Sequence, residues 1–336
     1  MLKNLLYSEE RDSNMHSVRI LGLTVYKKIV SDCVAKRTLL MGLIKHIKRD
    51  TSVQLYLCGI KIYHGHRKRN LPPPGGVNYY EMTRYIHRAM SIVHTHRKTF
   101  AGYKNKHNGQ TITLIATGPT SNFYKPIKNS IYVGVNRSCL LKKIKFDYMF
   151  VIDKAGLDLG TVNYYKEFFE YDCVKFVGDQ NLGADFQIPE SIALKYDNVC
   201  RYKTSVRHSR NEIAFDLENE PLGNFSSVAL QAIQFIMYTN PRRIYIVGVD
   251  CTVSSGQHFT GPTADITRKE DLIKNDKANI QSWQKVRIFA ETYYPETEII
   301  SINPIGLRGI FRDVYTKSFL AEHPEIDPNT VEILSE

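Results

Sequence analysis

TITLIATGPTSN, residues 111–122, is the stretch on which the fold turns. Its first six residues run apolar and β-branched, which is the pattern of a strand. The run stops at Thr117-Gly118-Pro119-Thr120-Ser121-Asn122. There a glycine stands where the backbone must turn, followed by small hydroxyl and amide side chains. A strand that empties into such a loop at its carboxyl end is where an α/β sheet presents backbone N–H groups to an anionic ligand. The loop is not GxGxxG, since Gly118 stands alone, and no Gly-Lys-Ser/Thr follows to make a P-loop. By itself it reads as a plain turn sooner than as a phosphate cradle. A second edge of the same kind, RRIYIVGVD (242–250), tips the balance toward a nucleotide site.

The pattern around these edges predicts strands at 111–116, 131–135, 148–152, 173–177, 243–248 and 298–302. Helices are predicted at 161–169, 226–238 and 277–293. Strands separated by helices require right-handed crossovers and a mainly parallel sheet. The expected fold is therefore α/β, a Rossmann-like mainly parallel sheet over 109–320, with a tail at 321–336.

Residues 1–108 read differently, as a small basic β/α region. HSVRILGLTVYK (16–27) and TSVQLYLCGIKIYH (51–64) echo one another, each with Ser-Val before an apolar run and a central glycine. Both predict short strands bent at Gly22 and Gly59. Between them, Leu39, Leu40, Leu43, Ile44 and Ile47 have helical spacing, which predicts a basic helix over 34–48, more simply an ordinary helix packed on a core and alternatively one lying on an anionic membrane surface. RKRNLPPPGG (67–76) is a linker, because three prolines and two glycines continue neither helix nor central strand. A helix is predicted over 79–99, and a polar basic joint follows at 101–110.

The chain has 336 residues, 43% apolar and 11% aromatic, enough for a sizeable core. No run reaches the ~18 apolar residues of a membrane span. The opening MLKNLLYSEERDSN is too quickly charged for a secretory signal, so a cytoplasmic protein is expected. Six scattered cysteines without a CxxC pair read as reduced thiols in the core. The net charge of +11 is uneven: residues 1–110 hold 20 Lys and Arg against 6 Asp and Glu, and eight of the eleven histidines. A basic arm on a near-neutral body predicts an anionic partner, such as lipid headgroups on the inner face of the cytoplasmic membrane. The His64/His66 and His94/His96 pairs lack a third ligand at suitable spacing, so no metal site is expected.

Polar residues collect at the predicted strand ends. Gly118, Pro119, Thr120, Ser121 and Asn122 follow the first strand, Asn136 and Arg137 the second, and Asp153 the third. Ser226 and Ser227 open the apolar helix, as phosphate holders or as N-caps. Asp250 follows the next strand, and His258 comes eight residues later in SSGQHFTG.

ATGPTSN with VGVN, and NFSSVALQAIQFI with RRIYIVGVD, resemble the bacterial sialyltransferases of glycosyltransferase family 42 and the related Maf-type nonulosonate transferases. The resemblance spans about 111–310 at the level of motifs. It implies a metal-independent transferase whose donor is a CMP-activated nonulosonate or Kdo and whose acceptor is a surface glycan of lipopolysaccharide, capsule or glycoprotein. It also implies that Gly118, Pro119, Thr120, Ser121 and Asn136 bind the nucleotide, with Ser226 and Ser227 near phosphate or sugar. The family's histidine base lies just before the last long helix, where this chain has Asn275, Asp276 and Lys277. Asp276 and His258 are thus rival acid/base candidates. The absence of any Asp-x-Asp agrees with chemistry that needs no metal. Two alternatives stay open: a Mg-dependent diphosphokinase on a similar sheet, and a non-catalytic nucleotide- or nucleic-acid-binding module. Nucleic acid ranks low, because RNP-like aromatic motifs are missing and the basic excess lies outside the sheet domain.

Overall fold

A computed structural model of the chain describes residues 7–11, 15–20, 23–31, 34–39, 43–49, 52–58, 60–66, 79–158, 162–179, 188–193, 195–205, 212–223, 225, 227–252, 257–258, 261–262 and 269–334. The chain forms two compact units, Met1–Ile86 and His87–Glu336. The predicted linker at 67–76 lies outside the described residues.

The first unit is a seven-stranded antiparallel meander in chain order. Its strands are β1 (Tyr7–Arg11), β2 (Met15–Ile20), β3 (Leu23–Ser31), β4 (Val34–Leu39), β5 (Ile44–Arg49), β6 (Ser52–Leu57) and β7 (Ile60–His66). This corrects two expectations. The helix predicted over 34–48 is the β4–β5 hairpin, with Leu39 opposite Ile44 and Lys36 opposite Ile47. Its helical spacing was produced by a run of aliphatic residues around a turn. A glycine at 42 costs a helix about 1 kcal/mol, and β3 and β6 offer ladder partners on both sides. The echoing segments are each a hairpin that reverses direction. Ile20 pairs with Leu23 in one hairpin and Leu57 with Ile60 in the other.

α1 (Tyr79–Phe100) leads into the second unit. There the predicted alternation appears as an eight-stranded sheet of β8 (Thr111–Ile115), β9 (Ser130–Val135), β10 (Tyr148–Val151), β11 (Val174–Asp179), β12 (Val199–Lys203), β13 (Arg243–Val247), β16 (Glu298–Ile302) and β17 (Arg312–Val314). Every pairing is parallel. The helices are α2 (Tyr165–Phe169), α3 (Glu190–Ala193), α4 (Ala229–Tyr238), α5 (Lys269–Tyr293) and α6 (Lys317–Glu322). A two-stranded ribbon, β14 (Gln257–His258) and β15 (Gly261–Pro262), precedes α5. The fold is α/β and Rossmann-like.

Burial on both faces explains why the strands read as continuous apolar runs. On one face Ile112, Leu114, Val133, Phe150 and Phe176 pack under α4, all ten of whose residues are buried. Phe150 stacks on Phe176 with ring centroids 4.5 Å apart, and Phe235 of α4 closes on the same ring at 4.8 Å. On the other face Ile115, Met149, Val151 and Val177 pack with Phe168 and Phe169. α4 starts at Ala229, so Ser227 is not in its first turn; Val228 is the N-cap residue. α5 starts eight residues before its predicted beginning, so Asp276 is inside the helix and not ahead of it. At the C-terminal edge the chain returns to the sheet: the Tyr315 N–H donates to the Glu332 carbonyl, and Leu334 N–H to Tyr315.

Candidate functional site

The sheet order is β12-β11-β10-β9-β8-β13-β16-β17. From β8 the chain winds outward one way through β12, then returns to place β13 on β8's other side. The switch point therefore lies between the carboxyl ends of β8 and β13, where open α/β sheets bind ligands. These ends carry the two segments singled out in the sequence.

They are joined directly. Ala116 N–H donates to the Val247 carbonyl at 2.8 Å, and Gly118 N–H to Gly248 at 2.8 Å. Thr120 N–H donates to Asp250 Oδ2 at 3.0 Å, and its hydroxyl donates to Oδ1. Gly118 is required by contact: a Cβ there would lie 2.4 Å from Asp250 Oδ2 and 2.5 Å from the Gly248 carbonyl. Gly248, at φ +70°, supplies a left-handed turn against Ala116.

This geometry corrects the expectation of a phosphate cradle. The N–H groups of Gly118 and Thr120 are spent on β13's end, and Ser121 N–H donates to the Gly118 carbonyl. The Ser121 hydroxyl also donates to Gly118. Thr120 and Ser121 are buried supports, and Asn122 is exposed with its carbonyl accepting from Lys143 at 2.9 Å. The loop is a strut between strands.

A cleft of about 110 Å³ opens beside the strut. Its described lining includes Gly118, Pro119, Asn136, Ser227, Asp250 and Asp276. Thr117, Cys251, Thr252 and Asn279 also line it and were not singled out in the sequence. Asp276 and Asn279 are three apart on α5, one face of a helix. That Asp-x-x-Asn spacing, at the polar end of a buried stripe continuing to Trp283 and Val286, is the signal that could have found Asn279. A larger hollow, about 370 Å³, lies at Arg287, Thr297, Ile299 and Phe311. It adjoins the start of β16, at the amino ends of the strands, away from the switch point.

Asn136 directly follows β9 in the left-handed region, φ +50°. Asparagine is enriched there, and such conformations cluster at functional sites. Its side-chain Oδ1 is buried without a hydrogen-bond partner. Gly156 leaves room for it, since a Cβ at 156 would lie 2.4 Å from that oxygen. Burial raises the Asp250 pKa, opposed by the two Thr120 hydrogen bonds. Cys251 is pushed up to about 12, first by burial and then by the carboxylates of Asp276 and Asp250 nearby, so it stays a thiol.

Other candidates are elsewhere. Arg137 is buried, and its Nη1 donates to the Gly156 carbonyl at 3.3 Å, which holds it in the scaffold. Asp153 accepts from Gly156 N–H at 3.1 Å as the cap of a short 3-10 turn. Ser226 lies outside the described residues. His258 is described only as backbone, paired with Gly261. The lining residues described include no Lys, Arg or His. Among the described residues no group of three His, Cys, Asp or Glu is placed to hold a metal ion, and no helix is long and apolar enough to cross a membrane.

No family model and no curated protein matches the chain. It is similar to the solved structure of the sialyltransferase CstII from Campylobacter jejuni in complex with a substrate analogue, CMP-3FNeuAc. That likeness has a TM-score of 0.32 and 10% identity, covering 57% of this chain and 80% of that one. It is also similar to the Maf glycosyltransferase from Magnetospirillum magneticum AMB-1, with a TM-score of 0.38 and 13% identity. There the match covers 68% of this chain and 38% of the other's length.

Proposed function

We propose that this chain is a glycosyltransferase that takes a CMP-activated sugar, a nonulosonate or Kdo, and passes the sugar to a bacterial surface glycan without a metal. The observation that carries this is Asn136, which lines the cleft at the switch point in the left-handed region and whose buried Oδ1, beside Gly156, has no partner. A buried acceptor left without a donor costs about 1–3 kcal/mol. A ligand N–H or O–H relieves that cost. Cytosine offers its exocyclic amine, where uracil offers a carbonyl oxygen. Asp250 in the same cleft suits ribose hydroxyls, and Asp276 suits the acceptor hydroxyl. Two carboxylates without a cation among the described lining disfavour a phosphate there. In this proposal the phosphate is served by the segments of Ser226 and His258.

The chemistry is a displacement. An acceptor hydroxyl oxygen bonds to the anomeric carbon as the bond to the phosphate oxygen breaks, and CMP leaves with the electron pair. Asp276 takes the acceptor proton, and His258 donates a hydrogen bond or proton to the departing phosphate. Each such proton transfer is worth about 10²–10⁴-fold in rate.

The test is CMP release from CMP-N-acetylneuraminate and CMP-Kdo in EDTA. Release that Asn136→Gly abolishes supports the proposal. Magnesium-dependent ATP consumption without CMP release supports a diphosphokinase instead.

A further inference from the structure

We propose that the three hairpin tips at one end of the N-terminal meander insert into an anionic phospholipid surface. The inference concerns the first unit alone and stands independently of the transfer chemistry.

An up-and-down meander sends alternate turns to opposite ends. At one end are the β2–β3, β4–β5 and β6–β7 turns, closed by the pairs Ile20–Leu23, Leu39–Ile44 and Leu57–Ile60. Every closing pair is aliphatic on both strands. Among the described side chains there Leu23 is 54% exposed, Leu43 48%, Leu57 45% and Ile60 69%, while Ile44 is half-buried. At the other end the sequence between β1 and β2 holds Asp12, that between β3 and β4 holds Asp32, and that between β5 and β6 holds Asp50.

The rung behind each aliphatic pair carries one cation. Arg19 pairs with Thr24, Lys45 with Thr38, and Lys61 with Tyr56. Strands β2 to β7 together carry nine Lys and Arg and no Asp or Glu. Adjacent strands lie about 4.8 Å apart, so successive tips repeat roughly every 10 Å along one edge. A row of aliphatic tips backed one rung away by cations matches a bilayer interface: apolar groups enter the acyl boundary and cations remain among anionic headgroups. A nucleic acid would satisfy the cations but leave the tips in water. Large exposed apolar groups in a row need a cover, and the uniform positive charge behind them favours a diffuse anionic surface over a second, equally basic copy.

The experiment is co-sedimentation of the full chain with vesicles of phosphatidylcholine alone or with 30% phosphatidylglycerol. Binding to the anionic vesicles is expected, weakened at least ~10-fold between 0.1 M and 0.5 M salt. Leu43→Ser with Ile60→Ser should lower affinity at least ~10-fold with an unchanged circular dichroism spectrum. A second readout avoids reliance on folding of that variant. Cys58, exposed in the β6–β7 turn, is labelled with an environment-sensitive dye in a Cys33→Ser background, and its emission should shift blue on anionic vesicles. Absence of vesicle binding, binding indifferent to the double substitution, or an unshifted dye overturns the proposal. So does a concentration-dependent dimer abolished by the double substitution, which would make a second copy the occupant.

Discussion

Thr120 and Asp250, 130 positions apart in sequence, are bonded twice: the Thr120 N–H reaches Oδ2 at 3.0 Å and its hydroxyl reaches Oδ1. The pair clamps the carboxyl ends of β8 and β13 together and sets one wall of the cleft. Asp250 is buried, so its carboxylate depends on these donors. Thr120→Val should therefore cost about 1–3 kcal/mol, the penalty of an unmatched buried acceptor. Thr120→Ser should retain most of it. Denaturant titration of the three proteins checks this, and equal midpoints would remove the clamp from the account.

Gly118→Ala places a methyl group where Asp250 Oδ2 and the Gly248 carbonyl already lie, 2.4 and 2.5 Å away. Backbone must shift to admit it, so the variant should melt lower and lose nucleotide binding together. Unaltered melting and binding would show that the strand ends are free to separate.

Much of this was legible in sequence. The six core strands were, because a strand buried on both faces is an apolar run ended by Gly, Asn or Asp. Two edge strands were not: Val199–Lys203 and Arg312–Val314 are short, with charged residues such as Arg201 and Arg312. Gly118, Asn136 and Asp250 stood out in sequence at strand ends, and Asp276 only through the family resemblance, at a helix start that lies eight residues earlier in the structure. What escaped was the use of the loop's N–H groups, since sequence shows donors but not the acceptors they have found. The hairpin at 34–49 escaped because its ladder partners come from β3 and β6, outside any local window. Asn279 escaped because the start of α5 was placed too late to count its face.

His96 shows a different kind of dependence. Its Nε2 accepts from Lys203 N–H at 2.8 Å, so Nδ1 carries the hydrogen and donates to the Leu217 carbonyl at 2.8 Å. The ring joins α1, β12 and the 212–223 segment. Burial lowers its pKa from 6.5 to about 4. Between those values the unfolded chain binds more protons than the folded one. Stability is thus full above pH 6.5 and is lost as pH falls toward 4, by about 3 kcal/mol in all. His96→Phe should lower stability at pH 7.5 by about 2–4 kcal/mol, by orphaning two backbone groups, and should flatten the slope between pH 6.5 and 4. Melting curves over that range check both.

The acid/base assignment separates by paired substitutions. Asp276 lines the cleft from inside α5. Asp276→Asn should reduce turnover at least ~100-fold, with near-normal donor KM and melting temperature. His258→Ala should reduce it to a similar extent, and a leaving group that needs no proton should rescue His258→Ala but not Asp276→Asn. Full activity in Asp276→Asn would move the base elsewhere.

The most direct measurement is calorimetric titration of CMP into the full chain in EDTA, repeated with UDP and with Asn136→Gly. Glycine keeps the left-handed backbone at 136 while removing the unpartnered oxygen. The account predicts that CMP binds and UDP binds at least ~10-fold more weakly, about 1.4 kcal/mol. It also predicts that Asn136→Gly erases the difference without lowering the melting temperature. UDP binding as tightly as CMP, or CMP affinity unchanged in Asn136→Gly, would contradict it.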